Sequence, residues 1–357
     1  MPKKALIAGA LGVVGRAALR ELELATDWEL VGLSRREPDF KTRADFRAVD
    51  LRDRSRCARA LEDVRGVTHL VYAALHEKPQ LVSGWTETDH GEINLAMLEN
   101  LLDAIESPAL EHITLLQGTK AYGAHTGRPS PLPAREREPR FDHQNFYFLQ
   151  QDRLVERQAG RDWAWTILRP QVVLGVAVGS AMNVVGSIGA YAALCRELDR
   201  PFSHPGHANA VAECVDARLL ARAIEWAATT PACANEVFNI ANGDVIAWRD
   251  LWPEIAAFHG LPLGAPELCR MSEEMPKHAE TWRKLADREG LRVNDLDALI
   301  GLSWQYADLL WGAARVPERP PLISTIKARE FGFQDCIDTG DAILQLLGEM
   351  QRERYLP

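Results

Sequence analysis

The stretch KALIAGALGVVGRAALREL, residues 4–22, is the part of the chain that decides the fold class. It begins with a short apolar run typical of a buried strand and ends with the apolar spacing of an amphipathic helix. Between them, Gly9, Gly12 and Gly15 form the pattern GxxGxxG. The first glycine permits a tight turn, the second lets a pyrophosphate approach the backbone, and the third lets helix and strand pack closely. A plain structural turn can also carry this pattern, but its place between a strand and a helix favours a dinucleotide bound at the helix N-terminus.

Short apolar runs and helical patterns alternate through the first half of the chain. Strands are predicted at WELVGLS (28–34), THLVYAAL (68–75) and HITLLQG (112–118), and a further strand and turn at WTILRPQVVLG (165–175). Helices are predicted at RCARALEDV (56–64) and NLAMLENLLDAIES (94–107). Alternation of this kind builds a parallel sheet with helices on both faces. The predicted fold class is therefore α/β, a Rossmann-type doubly wound parallel sheet.

The end of the second predicted strand indicates which dinucleotide is bound. A site for NAD usually carries an acidic residue there, whereas this chain has Ser34, Arg35 and Arg36. Two guanidiniums and a hydroxyl suit a 2′-phosphate, because arginine binds phosphate oxygens in a fork geometry; the alternative is a solvated basic turn. The expected cofactor is NADPH/NADP+. Asp50 and Leu51, at the end of the next strand-like run, are candidates for the adenine contact, although Asp50 could equally cap a helix.

After about residue 245 the pattern becomes mostly helical. We expect these helices to form a smaller, substrate-covering C-terminal lobe over the edge of the sheet where such folds bind ligands. MNVVGSIGAYAALC (182–195) is predicted to be a buried or substrate-covering helix. The expected organisation is an NADP-binding Rossmann core over residues 1–180, followed by residues 181–357, in which the remaining Rossmann elements are interleaved with the lobe.

Composition argues against several classes of protein. With 46% hydrophobic and 25% charged residues and a formal net charge of −9, the chain is typical of a soluble globular protein that binds neither nucleic acid nor an anionic membrane. Six cysteines without a CxxC pair predict reduced thiols, and no cluster has the spacing of a metal site. The N-terminus runs directly into a predicted strand and lacks the features of a signal peptide, so a cytoplasmic protein is expected.

A tyrosine in NFYFLQQD (145–152) raises the question of catalysis. Short-chain dehydrogenases place a catalytic tyrosine at about this depth, with a lysine four residues later, but the fourth residue after Tyr147 is Gln151. Lys120 follows the fourth predicted strand, at the edge of the sheet that faces the nicotinamide, and could supply the missing cation. It could also be an ordinary loop lysine. Nearby, Tyr122 is either a competing acid or a residue that packs beneath the loop.

Several motifs in order along nearly the whole chain resemble the progesterone 5β-reductase/iridoid synthase family (PRISE), a group of atypical extended short-chain dehydrogenases. They are GTKAYG (118–123), EPRFDHQNFYFLQQD (138–152), ILRPQVVLG (167–175), MNVVG (182–186), EVFNIANGDVIAWRDLW (236–252) and REFGF (329–333). Members of this family use NADPH to reduce the C=C bond of activated enones. The resemblance implies that Tyr147 is the catalytic tyrosine and Lys120 its displaced lysine partner.

The predicted sites combine the motif analysis with this resemblance. The cofactor-binding residues are expected to be Gly9, Gly12, Val13, Gly15, Ser34, Arg35, Arg36, Asp50, Leu51, Ala73, Tyr147, Pro170 and Val172. The substrate-binding residues are expected to be Leu75, Tyr122, Met182 and Asn183. Phe148 and Gln117 depart from the family pattern, and Leu75 and Pro321 stand where some members have larger aromatic residues, so a different enone or a more open pocket is expected.

The expected reaction is a 1,4-hydride addition to an α,β-unsaturated ketone or aldehyde. Negative charge then builds on the carbonyl oxygen, where the Tyr147 phenol stabilises the enolate with help from Lys120. A carbonyl reductase, or an epimerase or dehydratase of the extended short-chain type, would use the usual Tyr/Lys pair, so Gln151 favours conjugate reduction. A non-catalytic NADPH-binding sensor is a further alternative, but it predicts loss of the tyrosine. The expected partner is a small-molecule enone, and a homodimer is possible.

Overall fold

The computed structural model of the protein describes residues 3–128, 131–207, 210–313 and 319–357. The chain divides into two units, and each is assembled from three segments. The first unit comprises Met1–Gln171, Ala217–Ile240 and Ile323–Asp335. The second unit comprises Val172–Asp216, Ala241–Leu322 and Cys336–Pro357.

The secondary-structure elements are numbered in chain order. The strands are β1 (Lys3–Ala8), β2 (Trp28–Ser34), β3 (Asp45–Ala48), β4 (His69–Tyr72), β5 (His112–Leu116), β6 (Ala164–Pro170), β7 (Val172–Leu174), β8 (Val211–Ala212), β9 (Cys214–Asp216), β10 (Glu236–Ile240) and β11 (Ile246–Ala247). The helices are α1 (Val13–Leu24), α2 (Arg54–Ala60), α3 (Leu81–Gly84), α4 (Thr88–Ile105), α5 (Phe146–Gln158), α6 (Val184–Glu197), α7 (Ala217–Thr229), α8 (Trp248–Phe258), α9 (Met271–Glu274), α10 (Ala279–Glu289), α11 (Leu296–Ile300), α12 (Ser303–Leu310), α13 (Ile326–Glu330) and α14 (Thr339–Arg352). Short 3-10 helices cover Thr119–Tyr122, Pro231–Cys233 and Met275–His278.

The first unit is built around a parallel sheet. In the described residues this sheet has seven strands in the order β10-β6-β5-β4-β1-β2-β3. The chain runs from β1 outward through β2 to β3 and then returns to β4 on the other side of β1, so the direction of strand order reverses between β1 and β4. In open sheets of this kind, ligands bind at the carboxyl ends of the strands beside such a reversal.

Helices flank this sheet in two groups. Helix α1 packs against α7, and α4 packs against both α2 and α5. Leu98 and Leu101 of α4 form a buried cluster with Leu6, Leu70 and Ile113 of the sheet. Strands that are covered on both faces are mostly apolar, and β1 is buried from Ala5 to Ala8 and β4 at all four of its positions. The α/β prediction of a Rossmann-type doubly wound sheet is confirmed.

The second unit is mostly helical. Helix α6 is buried along most of its length and packs against α10, α11, α12 and α14. Trp248, Trp252, Trp282 and Trp311 fill the same core, where the Trp252 ring stacks on Phe202 with centroids 4.8 Å apart. The predicted helical C-terminal region is therefore present. None of the helices in the described residues combines the length and the apolar character of a membrane span.

One helical pattern of the sequence is interrupted in the structure. The run NDLDALIGLSWQYADLLWG (294–312), in the part of the chain predicted to be mostly helical, forms two helices, α11 and α12, that are separated at Gly301. Gly301 has φ +59°, and a Cβ there would lie 3.0 Å from the carbonyl oxygen of Gly179. The chain turns at this glycine because its left-handed backbone and close neighbour exclude a larger residue.

Candidate active site

The glycine turn connects β1 to α1 beside the end of β4. Gly9 has φ +82°, and a Cβ there would lie 2.8 Å from the carbonyl oxygen of Ala73. A Cβ on Gly15 would lie 2.2 Å from the Gly9 carbonyl oxygen, so this glycine allows helix and strand to meet. A Cβ on Gly12 would meet only that carbonyl oxygen, at 3.3 Å. The fold therefore needs Gly9 and Gly15 for its own packing, whereas Gly12 leaves space at the start of α1.

The N-terminus of α1 fits a dinucleotide phosphate. Gly12 occupies the N-cap position and Val13 is the first helical residue, and no side chain caps the first turn. The first N–H groups of a helix lack intrahelical acceptors and carry the positive end of its dipole, so they favour an anion. The residues present at this turn therefore fit the pyrophosphate of a dinucleotide.

The basic residues predicted for the 2′-phosphate lie directly after β2. Ser34 ends the strand, and the side chains of Arg35 and Arg36 are exposed. Asp50 is paired with Arg52 at 2.6 Å, and hydrogen bonds from Arg52 lower the pKa of the Asp50 carboxyl to about 2. Asp50 does not cap α2; that role belongs to Asp53. Leu51 is buried, and its carbonyl oxygen accepts a hydrogen bond from Asn100.

Tyr147 is held by its backbone at the start of α5. Asn145 caps this helix: its side-chain oxygen accepts a hydrogen bond from the Tyr147 N–H at 3.0 Å, while its amide nitrogen donates to the Lys120 carbonyl at 2.9 Å. Gln117 donates to the Tyr147 carbonyl at 3.0 Å. A Cβ on Gly118 would lie 3.3 Å from the Tyr147 hydroxyl and 3.5 Å from the Pro170 carbonyl oxygen. The phenol therefore lies at the carboxyl ends of β5 and β6.

Lys120 lies on the 3-10 helix that follows β5 and is 9% exposed. Its Nζ is 3.6 Å from Glu77 Oε1, 4.1 Å from the centroid of the Trp85 ring and 5.6 Å from that of Tyr147. Burial lowers the pKa of Lys120, and the charge of Glu77 acts in the opposite direction. The structure thus brings Lys120 and Tyr147 together, although they are distant in sequence.

Gln151, at the position where a lysine usually follows the tyrosine, contacts a different cation. Arg169 is buried and donates to Gln117 Oε1 at 3.0 Å, to the Tyr122 hydroxyl at 3.2 Å and to Gln151 Oε1 at 3.4 Å. The Tyr122 hydroxyl in turn donates to Asn239 Oδ1 at 2.7 Å. Burial raises the pKa of Tyr122, while Arg169 acts in the opposite direction. Tyr122 is therefore engaged in a buried polar network.

The remaining predicted site residues fall in both units. Leu75 is partly buried and packs with Phe146 and Tyr147 in the first unit. Met182, Asn183 and Val172 belong to the second unit. Asn183 is buried beside the start of α6, where its N–H donates to Ser303 Oγ at 2.8 Å and its side chain to the Ala177 carbonyl.

Several residues of this site were not predicted from the sequence. Asn145 carries a local signal, because asparagine is a preferred N-cap residue directly before a helix. Glu77 and Trp85 reach Lys120 only through the fold and carry no local signal. Among the described residues, no group of histidine, cysteine and carboxylate side chains could hold a metal ion.

Residues 56–300 match the family model of the PRISE-like Rossmann-fold domain. Among solved structures, the UDP-glucose 4-epimerase of Thermus thermophilus in complex with NAD is similar, with a TM-score of 0.66 and 18% sequence identity over 98% of this chain and 99% of that chain. A likeness at this level of identity supports the fold alone.

Three curated relatives match over nearly their whole length. The short chain dehydrogenase gsfE of Penicillium aethiopicum is 32% identical over 97% of this chain and 99% of the relative. An (S)-8-oxocitronellyl enol synthase of Nepeta cataria is 30% identical over 99% of this chain and 93% of the relative. A 3-oxo-Delta(4,5)-steroid 5-beta-reductase of Arabidopsis thaliana is 29% identical over the same shares. The chain belongs to the PRISE-like Rossmann-fold family.

Proposed function

We propose that the protein uses NADPH to reduce the C=C bond of an activated enone by 1,4-hydride addition. The observation that carries this proposal is the pairing of Tyr147 with Lys120 at the carboxyl ends of the central strands, while Gln151 contacts Arg169 instead. The relatives named as a steroid 5-beta-reductase and an enol synthase support an enone as the substrate class.

The cofactor supplies the hydride, and the protein would hold it through the glycine turn. Gly12 and the first N–H groups of α1 would bind the pyrophosphate, because this turn has room there and no side-chain cap. Arg35 and Arg36 support NADPH over NADH, since exposed guanidiniums at the end of β2 can bind a 2′-phosphate.

The role of Tyr147 is to stabilise the charge that develops on the carbonyl oxygen. When hydride reaches the β-carbon, the electrons of the C=C bond move toward the carbonyl and an enolate forms. The Tyr147 hydroxyl donates a hydrogen bond to that oxygen, and Lys120 adds a positive charge 5.6 Å from the centroid of the Tyr147 ring. The α-carbon later takes a proton from solvent, so the product is the saturated ketone or aldehyde.

Carbonyl reduction and epimerisation have less support. Both reactions need a proton to move at an oxygen, and enzymes of this fold use the lysine four residues after the tyrosine to assist that transfer. Gln151 cannot supply this charge, and its side-chain oxygen already accepts from Arg169. A sensor that binds NADPH without turnover would not need the Tyr147 hydroxyl.

The test is NADPH oxidation with a panel of enones, together with identification of the product. Tyr147→Phe should lower kcat/KM by roughly 100- to 1000-fold, as expected for the loss of a donor to the developing oxyanion. Tyr72→Phe is the matched control, because Tyr72 is buried in β4 of the same unit and its hydroxyl has no hydrogen-bond partner among the described residues. An allylic alcohol as product, or full activity in Tyr147→Phe, would contradict the proposal.

Cofactor choice is tested with the same enones. Replacing Arg35 and Arg36 with alanine should raise KM for NADPH while leaving KM for NADH nearly unchanged, since only NADPH carries the 2′-phosphate. An equal change in KM for NADPH and NADH would show that these arginines do not bind the 2′-phosphate.

A further inference from the structure

The loop that follows β4 is fixed by α4. The N–H of His76 donates to Asn94 Oδ1 at 2.9 Å, and Asn94 Nδ2 donates to the His76 carbonyl at 3.0 Å. His90, one helical turn earlier, places its Nε2 2.9 Å from the same carbonyl. Because α4 holds residue 76 through two side chains, the position of the next residue, Glu77, is also constrained.

The Glu77 side chain is buried, with 6% of its surface exposed, and its two carboxylate oxygens have different neighbours. Its Oε2 accepts from Trp85 Nε1 at 3.0 Å and lies 3.2 Å from His90 Nε2. Both neighbours of His90 Nε2 are acceptors, so this nitrogen carries the proton. The other oxygen, Oε1, faces Lys120 Nζ at 3.6 Å, and neither atom has a hydrogen-bond partner among the described residues.

The ammonium of Lys120 needs a favourable electrostatic environment, since burial penalises its charged form. Trp85 offers the face of its ring at 4.1 Å, a geometry that attracts a cation. The titratable groups around Lys120 are Glu77 from the β4 loop, His90 from α4, His125 and His143 from the segment before α5, and Tyr147 from α5. Within this group, Glu77 supplies a full negative charge.

We propose that Glu77 is a positioning residue of the active site: its carboxylate, held by Trp85 and His90, keeps Lys120 charged and directed beside Tyr147. The inference rests on the proposed function, because the positive charge has a role in the reaction only if an oxyanion develops near Tyr147. Glu77 itself acts through Lys120 and does not contact the reacting atoms.

The first experiment compares the pH profiles of kcat/KM for the parent and Glu77→Gln with NADPH and a reducible enone. Glu77 raises the pKa of Lys120, so its removal should shift the loss of the charged amine to lower pH. At about pH 8 the variant should be slower by roughly tenfold or more, and the difference should shrink as the pH is lowered. A purely structural role would lower the rate equally at every pH.

Matched variants distinguish the loss of the Glu77 charge from a general effect on folding. Glu87→Gln makes the same chemical change nearby, at an exposed residue paired with Lys78, and should keep the parent profile. In a Lys120→Met background, Glu77→Gln should cause little further loss, because a residue that acts through Lys120 has no effect once Lys120 is gone. Additive losses in the double variant would overturn the inference. If Glu77→Gln does not fold, Trp85→Phe weakens the attraction of the ring at residue 85 for the Lys120 cation and should shift the profile in the same direction by a smaller amount.

A second readout is independent of turnover. The NMR chemical shift of the Lys120 side chain in isotope-labelled protein, followed as a function of pH, reports titration of the buried amine directly. Glu77→Gln should move this titration to lower pH. If it does so but the parent reduces no enone, the coupling of Glu77 to Lys120 stands and the proposed function fails. If the parent reduces enones and neither titration nor pH profile changes, the inference is wrong.

Discussion

Arg169 explains why a glutamine follows Tyr147 at the position usually held by lysine. A buried guanidinium needs acceptors, and Arg169 obtains them from Gln117, Tyr122 and Gln151. A lysine at 151 would bring a second cation against Arg169 and remove one of its acceptors. The charge that Gln151 does not supply comes from Lys120, on the 3-10 helix after β5, whose Nζ lies 5.6 Å from the centroid of the Tyr147 ring.

Replacing Gln151 with lysine should not restore an ordinary short-chain dehydrogenase. We expect Gln151→Lys to lower the free energy of unfolding by about 1–3 kcal/mol, because two like charges would meet in a partly buried site. Urea unfolding measures this loss. Gln144→Lys, at an exposed position before α5, is the control for the added charge. A variant as stable as the parent that also gains carbonyl reduction would contradict this account.

The β1–turn–α1 element contains glycines with different tasks. Gly15 lets the helix touch the strand, since a Cβ there would overlap the Gly9 carbonyl, whereas a Cβ on Gly12 would make one tight contact. The sequence pattern predicts a tight turn at Gly9, the approach of a pyrophosphate at Gly12 and close helix–strand packing at Gly15. The close backbone neighbours of Gly9 and Gly15 in the structure agree with the roles predicted for those two glycines.

Alanine substitutions should separate these tasks. Gly15→Ala should unfold or strongly destabilise the protein, because the added Cβ would overlap the carbonyl oxygen of Gly9, a backbone atom that cannot move aside as a flexible side chain can. Gly12→Ala should retain most of the parent's stability but weaken NADPH binding, since the added methyl fills the space for the pyrophosphate. Thermal unfolding and a titration of nicotinamide fluorescence measure the two effects. Equal NADPH affinity in Gly12→Ala would place the pyrophosphate elsewhere.

Strands β4 and β5 carry neighbouring histidines in the sheet. His69 and His112 are register partners, and His112 Nε2 lies 3.0 Å from Thr166 Oγ1 of β6. Burial lowers the pKa of His112 to about 3, with a smaller contribution from the charge of His69. Burial also lowers the pKa of His69. Burial in the sheet therefore favours the neutral form of both imidazoles, His69 and His112.

The stability of the sheet should fall in acid. Because the folded state depresses the pKa of His112, its contribution is complete above the unfolded-state value of about 6.5 and is lost as the pH falls from there toward 3. His112→Gln should be less stable than the parent at neutral pH but should lose less stability between about pH 6.5 and pH 4. Urea unfolding at several pH values measures this slope. His278→Gln, at a partly exposed position, is the comparison variant, and an unchanged slope in His112→Gln would refute the assignment.

At the level of the whole chain, the first unit depends on late segments. Helix α7 packs against α1, and β10 pairs with β6, although both follow residues that belong to the second unit. The sequence predicts Rossmann elements that are interleaved with the C-terminal lobe. Because β10 is part of the sheet, the sheet of the first unit cannot be completed until residues 236–240 are available.

A fragment of residues 1–180 should therefore fail to fold cooperatively. Without α7 and β10, the buried face of α1 and the edge of β6 would be exposed to water. Far-ultraviolet circular dichroism should show reduced helix content, and urea unfolding should be broad and of low amplitude. A sharp transition with NADPH bound would show that the late segments are dispensable.

Local patterns in the sequence predicted the parallel sheet and the glycine turn, and the strand expected at residues 28–34 has the same bounds in the structure. These features are recoverable because strand and helix periods, and the conformational freedom of glycine, act over a few neighbouring residues. Lys120 was a candidate by its place after a strand and by family resemblance. Its partners Glu77 and Trp85 had no such signal. Gln117, Tyr122 and Gln151 were each noted in the sequence, but no local pattern indicated that all three accept hydrogen bonds from Arg169. Those contacts join residues that are far apart in the chain. The interaction energy of buried charges also depends on how completely the fold removes water and packs around them, and no local pattern encodes this.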